Sequence, residues 1–449
     1  MAEKGLRRRG QGGDESRDRR RPLGEPSANF PDLAHTNPKQ GWYGCACLCF
    51  KRAFILLLCL ILAVILRLLY FFGVSGDSFQ QSLFTQTPLH PNADLQTVLK
   101  LSIPPGNIAV SPVDGQIFFN FHPEYTHPSG AKIGHCFPEG KKAFCSSWVD
   151  HVSSEHVNTV LSLRIDIRNR LYLLDFNNHV LAPGSQAALV MFRLGKFRHD
   201  KFGFKYNFPL HVAPRGSFLN DMQISPDGQY IYIVDTGFIG SILGISRPGL
   251  IIFHVPTQKS RRVLHGHPSM LPDNGISMSV KDSTGVYPQR LLGLFTMRIG
   301  VDSVAIDSRG EFLYFGPVTG RMLYRIPTNV LHGRQRILED DHLEFEKHLE
   351  VYIDNKPMSD GIIMDENDNI FVTAFEHSSI VQINAKNRTL SLLFRDPAKL
   401  RWPDGFSYDW GKKHMYVTNS ALHYKFSGKG KDWYRQKSPY YILRWSNSM

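Results

Sequence analysis

Cysteine is scarce in this chain, 6 of 449 residues. Cys45, Cys47 and Cys49 form a CxCxC cluster with no fourth ligand after it, which argues against a metal site. Cys59 lies in an apolar run, so only Cys136 and Cys145 remain beyond it. That pair reads as one disulfide closing a small loop in an oxidising compartment. The sequence also lacks a P-loop, a GxSxG elbow, a CxxC pair and an HExxH motif, and with them the chemistries those spacings serve. Concentrated charge is missing too. Of the formal net charge of +12, residues 1–52 carry +5 (eleven Lys or Arg against six acids) and Arg67 carries one, leaving +6 for the remainder. A mildly basic surface without a stripe gives no nucleic-acid partner.

Long apolar runs are limited to one. From Ala53 to Phe72 the chain reads AFILLLCLILAVILRLLYFF, the length needed to cross a bilayer, with Arg67 as its only charge. The expected organisation is a disordered basic cytosolic tail (1–52), a signal anchor (53–74), a linker (75–95) and a lumenal or extracellular domain (96–449). Lys51 and Arg52 abut the run on its N-terminal side, whereas the distal flank GVSGDS has no base, so the positive-inside rule predicts a single-pass type II membrane protein. The one glycosylation sequon, Asn387-Arg388-Thr389, falls on the lumenal side of that arrangement. Cys45, Cys47 and Cys49, beside the membrane, are palmitoylation candidates.

What the chain does contain is a repeat. LNDMQISPDGQYIYIVDTG (from Leu219), VDSVAIDSRGEFLYFGP (from Val301), SDGIIMDENDNIFVTAF (from Ser359) and PDGFSYDWGKKHMYVTN (from Pro403) share one pattern. Each has a polar residue opening a short strand, a turn rich in Asp, Gly or Asn, and a second strand of β-branched and aromatic residues. NIAVSPVDGQIFFNF (from Asn107) and LSLRIDIRNRLYLLDF (from Leu161) are weaker copies. The anchors Asn107, Ser162, Asn220, Asp302, Asp360 and Asp404 follow at intervals of 55, 58, 82, 58 and 44 residues, which predicts an all-β, six-bladed β-propeller. The widest interval holds His265 to Met297, expected to be an inserted loop over one face. The turn acids Asp227, Asp307, Asp365 and Asp409 are expected to be structural.

The innermost strand of every blade lines a central tunnel, so the anchors would present several side-chain oxygens to one small volume. Carboxylates held together repel unless a cation joins them. A hard cation such as Ca²⁺, a protonated amine, or simple hydrogen bonding to water and backbone would each satisfy such a ring. Phe119, Tyr232, Phe315 and Phe375 are possible aromatic liners, although strand alternation equally puts them in blade cores. Glu376-His377 is a candidate acid–base pair. His265 and His267 have metal-like spacing that also fits a structural crossover.

FLNDMQISPDGQYIYIVDTG, RRVLHGHPS, GVDSVAIDSRGEFLYFGPVTGRMLYRIPT, SDGIIMDENDNIFVTAFEH and LRWPDGFSYDW together resemble the major royal jelly protein/yellow family, in order from about Pro104 to Tyr440. The resemblance implies a six-bladed propeller, and extends in fold to gluconolactonase and regucalcin. In the gluconolactonase pattern a divalent metal is held by a Glu, two Asn and an Asp. By position these become Asn107, Asn220, Asp302 and Asp360 here, so the Glu is replaced. Some yellow-related members bind small amines in the tunnel. Three functions therefore stand: a tethered propeller binding a small ligand such as an amine, with Asn107, Asn220, Asp302, Asp360 and Asp404 as its site; a Ca²⁺-dependent lactonase or esterase using Asn107, Asn220, Asp302 and Asp360; and a non-catalytic interaction domain.

Overall fold

The computed structural model describes residues 50–66, 81–123, 132–137, 144–147, 156–176, 186–195, 200–237, 247–291, 295–332, 342–426 and 437–447. The chain divides into two compact units, Met1–Ile65 and Leu66–Met449. Residues 50–66 are helical, and no helix among the described residues is long and apolar enough to cross a membrane. The basic tail, Cys45, Cys47, Cys49 and Arg67 lie outside the described residues.

The second unit is all-β. Its strands form six four-stranded antiparallel sheets, one per predicted repeat. Blades one to five run in chain order, from innermost to outermost strand, over Pro105–Ser147, Val160–Asn207, Leu219–Val263, Val301–Ile353 and Ser359–Arg395. Blade six takes three strands from the C-terminal end, Pro403–Asp409, His414–Asn419 and Tyr440–Ser446, and its outermost strand from Gln96–Leu101. This pairing of the two ends of the domain closes the ring and leaves the last blade complete.

The alternation of apolar residues along each strand explains the packing. Six apolar clusters form, each between two neighbouring blades. Between blades two and three, for example, Tyr172 and Leu189 meet Met222, Ile233 and Ile251. Between blades six and one, Tyr416 and Ile442 meet Ile108 and Phe119. Fully burying each such side chain contributes roughly 1.5–3 kcal/mol, so the ring is held by its blade interfaces. The turn acids play the structural part expected of them. Asp227, Asp307, Asp365 and Asp409 each accept backbone N–H groups of their own hairpin turn.

The segment His265–Met297 is more ordered than its sequence suggested. It contains a short 3₁₀ helix, Pro268–Met270, and two small antiparallel hairpins, Ser279–Asp282 with Gly285–Pro288 and Arg290–Leu291 with Phe295–Thr296. Its Met278, Val280 and Met297 pack with Val318, Met358, Phe375, Trp402 and Leu422 over one face of the ring. Alternation was hard to read here because each strand is only two to four residues long.

In blade one, Cys136 is buried and its register partner on the neighbouring strand is Cys145, whose side chain lies outside the described ones. The sequon residue Asn387 sits in an exposed hairpin turn, where its carboxamide oxygen accepts from the Thr389 hydroxyl at 2.8 Å.

A candidate ligand site in the tunnel

Every blade repeats one irregularity. The pairing between its innermost and second strands slips at the anchor: between Pro105 and Ile108, Val160 and Ser162, Leu219 and Met222, Val301 and Ser303, Ser359 and Ile362, and Pro403 and Phe406. Such bulges release a residue from the ladder and re-aim it, here toward the tunnel. Side chains of the second strand occupy the backbone groups so freed. Asn120 accepts from the Asn107 N–H, Thr373 from Asp360 and Gly361, and Thr418 from Gly405. Glycine after the anchor is required by close approach. A Cβ on Gly361 would lie 2.0 Å from the Asp404 carbonyl oxygen, and one on Gly405 would lie 2.8 Å from Asn107.

The bulges converge. Asn107, Asn220, Asp302, Asp360 and Asp404, the five residues expected from the sequence, all line one cavity of about 240 Å³. Ser162 lies one residue beyond its bulge, and Leu161 takes the lining position in blade two.

The polar groups at this cavity fall into two sets, the first reaching past its lining to Ser162 and to Arg164, which lines a separate cavity with Ala109, Ile224 and Ile363. In the first, Arg164 donates to the Asn107 carboxamide oxygen at 2.5 Å and to Asp221 at 3.0 Å. Asn107 donates to Asp221 at 2.9 Å and to Ser162 at 3.1 Å, and Ser162 donates to Asp221 at 2.7 Å. The Arg164 and Asp221 side chains are both about 10% exposed, so this is a largely desolvated, hydrogen-bonded ion pair. It supplies a built-in cation to one side of the ring.

The second set is acidic. Asp302 accepts from the Thr236 hydroxyl at 2.9 Å and shares a hydrogen bond with Asp360. Asp360 also accepts the Trp402 indole N–H at 2.5 Å. Burial, the hydrogen bond to Asp360 and the charges of Asp360 and Asp404 push the Asp302 carboxyl well above the usual range. Burial and the charge of Asp360 do the same to Asp404. Burial also raises Asp360, with partial relief from its bonds to Asp302 and Trp402. Asp302 and Asp360 are therefore a coupled carboxyl pair, both raised by burial, whose hydrogen bond raises the first and lowers the second.

Apolar walls complete the cavity. They come from Leu161, Phe218, Met297, Ile299, Trp402, Leu422 and Phe426. Of the two readings given for the aromatics, the structure takes packing: Phe119, Tyr232 and Phe315 are buried between blades, and Phe375 in the cluster over one face, stacked on Trp402 with centroids 4.5 Å apart. Trp402 has φ +53°, a left-handed backbone uncommon for a bulky residue and more so before proline. That geometry turns its indole toward Asp360.

Two basic residues also line the cavity, and neither was singled out from the sequence: His122, which follows the second strand of blade one, and Lys425 of the helix His423–Phe426. Burial, with Lys425 nearby, pushes His122 down to about 3, so it is neutral; burial lowers Lys425 to about 8. The helix carrying Lys425 is tied to the inserted segment, because His423 and Tyr424 both hydrogen-bond the Asp282 carboxylate of the first hairpin. Burial pushes Asp282 up, but these bonds and those from Thr284 hold it well below the usual carboxylate range.

The remaining candidates are structural. Glu376 pairs with Arg321 at 3.1 Å and His377 stacks on Phe84. His265 accepts from Arg262, while His267 caps its 3₁₀ helix and lies 3.5 Å from Glu346.

A divalent metal does not fit this donor set. The Asn107 oxygen, expected as the first ligand, already accepts from the Arg164 guanidinium and from the Ile108 N–H. Among the described residues no group of three His, Cys, Asp or Glu is arranged to hold a metal ion.

The family model described as major royal jelly protein matches residues 158–437, more than half of the chain. The chain belongs to the major royal jelly protein family. No curated protein sequence matches it. Among solved structures it is similar to a luciferin-regenerating enzyme at 12% identity, covering 79% of this chain and 95% of that one (TM-score 0.46). It is also similar to a gluconolactonase from Xanthomonas campestris at 10% identity, covering 78% and 88% (TM-score 0.45). A third is regucalcin, a calcium-binding protein from Agrobacterium tumefaciens, at 9% identity, covering 78% and 93% (TM-score 0.46). For this royal jelly family member the site rests on the chain's own residues.

Proposed function

We propose that this chain is a royal-jelly-type propeller that binds a small organic cation, a protonated amine, in its tunnel. One observation carries the reading. Asp302, Asp360 and Asp404 face one cavity, where burial raises all three carboxyl groups and the charge of Asp360 raises Asp302 and Asp404 further, whereas the neighbouring Asp221 already has a cation partner in Arg164. An ammonium group entering beside the Asp302–Asp360 pair replaces the proton held there and relieves that repulsion. Phe218, Trp402 and Phe426 supply the ring faces that favour a cation and an aromatic ligand body. The hydrolase alternative has no comparable support, because the Asn107 oxygen is taken by Arg164.

In this reading the apolar run from Ala53 to Phe72 tethers the propeller to a membrane, with the tail cytosolic and the propeller lumenal or extracellular. The sequon at Asn387 and a Cys136–Cys145 disulfide belong to the same placement. Their exposed turn and matched register positions support it. Titrating the full chain in detergent with tryptamine tests the binding claim. Saturable binding weakened by Asp302→Asn supports it, and binding indifferent to that substitution contradicts it.

A further inference from the structure

A further cavity of about 240 Å³ shares no residue with the tunnel site and lies where the outer strands of blade three meet a helix of blade four. Strand register places its residues. Tyr230 of the second strand pairs with His254 of the third, and His254 with Lys259 of the outermost strand, Lys259–Val263. One row along, Tyr232 pairs with Ile252, and Ile252 with Arg261. Residues two apart on a strand share a face, so both rows look the same way. That face meets blade four, because Tyr232 and Ile252 pack there with Phe315 and Leu331. His332 ends the helix Thr328–His332 and closes the cavity by stacking on Tyr230, with ring centroids 3.7 Å apart.

The lining is basic. His254, Lys259, Arg261 and His332 contribute to it, and among the described residues no acid does. Arg261 contrasts with its neighbour in the chain. Arg262 reaches Asp235 at 2.7 Å, whereas among the described residues the Arg261 guanidinium meets no carboxylate and its Nη2 is buried without a hydrogen bond. Burial lowers Arg261 below the usual arginine range, and only the Tyr230 hydroxyl opposes that shift. Burial and then the Arg261 charge lower His332 to about 4, so its ring is neutral; it bonds the Tyr232 hydroxyl at 2.5 Å. Asp227 opposes the shift at His332 but is engaged by the Ser225 hydroxyl and the Gln229 N–H of its own turn. A desolvated guanidinium without an acceptor is costly, and an entering oxyanion removes that cost.

We propose that this cavity between blades three and four is a second ligand site, taking a phosphate group, free or on a small monoester. It is independent of the tunnel ligand. Arg261 and Lys259 are two positive side chains on one face of one strand, which matches a dianion better than a single carboxylate. The planar Arg261 fork suits two oxygens of a tetrahedral group, and Lys259, exposed at the rim, adds a point charge. His254, held at Nδ1 by the Thr257 hydroxyl at 2.7 Å, offers its Nε2 beside Lys259.

Calorimetric titration of the full chain in mild detergent, at neutral pH and physiological ionic strength, tests this with inorganic phosphate, glycerol 3-phosphate and acetate. Saturable phosphate binding is expected, with acetate roughly tenfold or more weaker. Arg261→Gln is expected to weaken phosphate roughly tenfold or more and Lys259→Gln severalfold, whereas Lys386→Gln, in an exposed turn of blade five, leaves it unchanged. Glycerol 3-phosphate separates the sources: tighter binding than phosphate assigns the site to a monoester, and binding no tighter assigns it to the free ion. A melting curve on each variant confirms folding, and the exposed Lys259 carries the test if Arg261→Gln is unstable. Phosphate that fails to bind, or binds equally well in both variants, overturns the site. Acetate binding as tightly as phosphate overturns it too.

Discussion

The Arg164 guanidinium lies 3.0 Å from the Asp221 carboxylate inside the tunnel and 2.5 Å from the Asn107 carboxamide oxygen. One side chain thereby supplies a fixed cation to blades one to three, and the unneutralised acids collect in blades four to six. This division turns a symmetric ring of anchors into an oriented site.

The pair itself is testable through stability. Arg164→Met leaves Asp221 buried without its cation, and breaking such a pair costs about 3–5 kcal/mol. Adding Asp221→Leu to that variant is expected to recover much of the loss, because both charges are then gone. Chemical denaturation of the single and double variants measures the difference.

Acid in the tunnel has the opposite signature. The carboxyl groups of Asp302 and Asp404 are raised in the folded protein, so the folded state holds their protons more tightly than the unfolded chain. Their contribution to stability is fully present below the ordinary carboxylate range and is lost as pH rises through the raised folded values. Asp302→Asn is therefore expected to leave the melting temperature at neutral pH unchanged or higher, and to flatten its dependence on pH. A fall in melting temperature at neutral pH would contradict the assignment.

Ligand affinity follows the same proton. Amine binding is expected to strengthen as pH rises and the Asp302–Asp360 proton is released. Calorimetry at several pH values should show that rise, and Asp302→Asn is expected to flatten it.

Backbone crowding at the mouth gives a fourth expectation. Gly361→Ala places a Cβ 2.0 Å from the Asp404 carbonyl oxygen. The strands of blades five and six must then separate, at a cost of about 1–3 kcal/mol by comparison with other overpacked sites. Thermal melting measures the loss, and amine affinity is expected to fall with it.

Much of this was legible in the sequence. The hairpin repeat yields six blades, and its opening residues yield Asn107, Asn220, Asp302, Asp360 and Asp404, all of which line the cavity. Arg164 left a signal that was not used: two residues after Ser162 on a strand, it shares the tunnel-facing side. Lys425, Phe426 and His122 left none, since they reach the cavity from segments outside the repeat. The aromatic walls were not legible for a physical reason. Phe119, Tyr232 and Phe315 lie on second strands and pack between blades, whereas Trp402 enters the tunnel through a left-handed backbone that strand alternation does not foresee.

In the proposed site the Asp302–Asp360 pair receives an ammonium group. Its most direct test is proton release on binding, read by calorimetry of tryptamine with the full chain in two buffers of different ionisation enthalpy. Net proton release near neutral pH is expected, and it disappears, together with roughly tenfold or more of affinity, in Asp302→Asn. Binding without proton release, at an affinity equal in the protein and the variant, would contradict it.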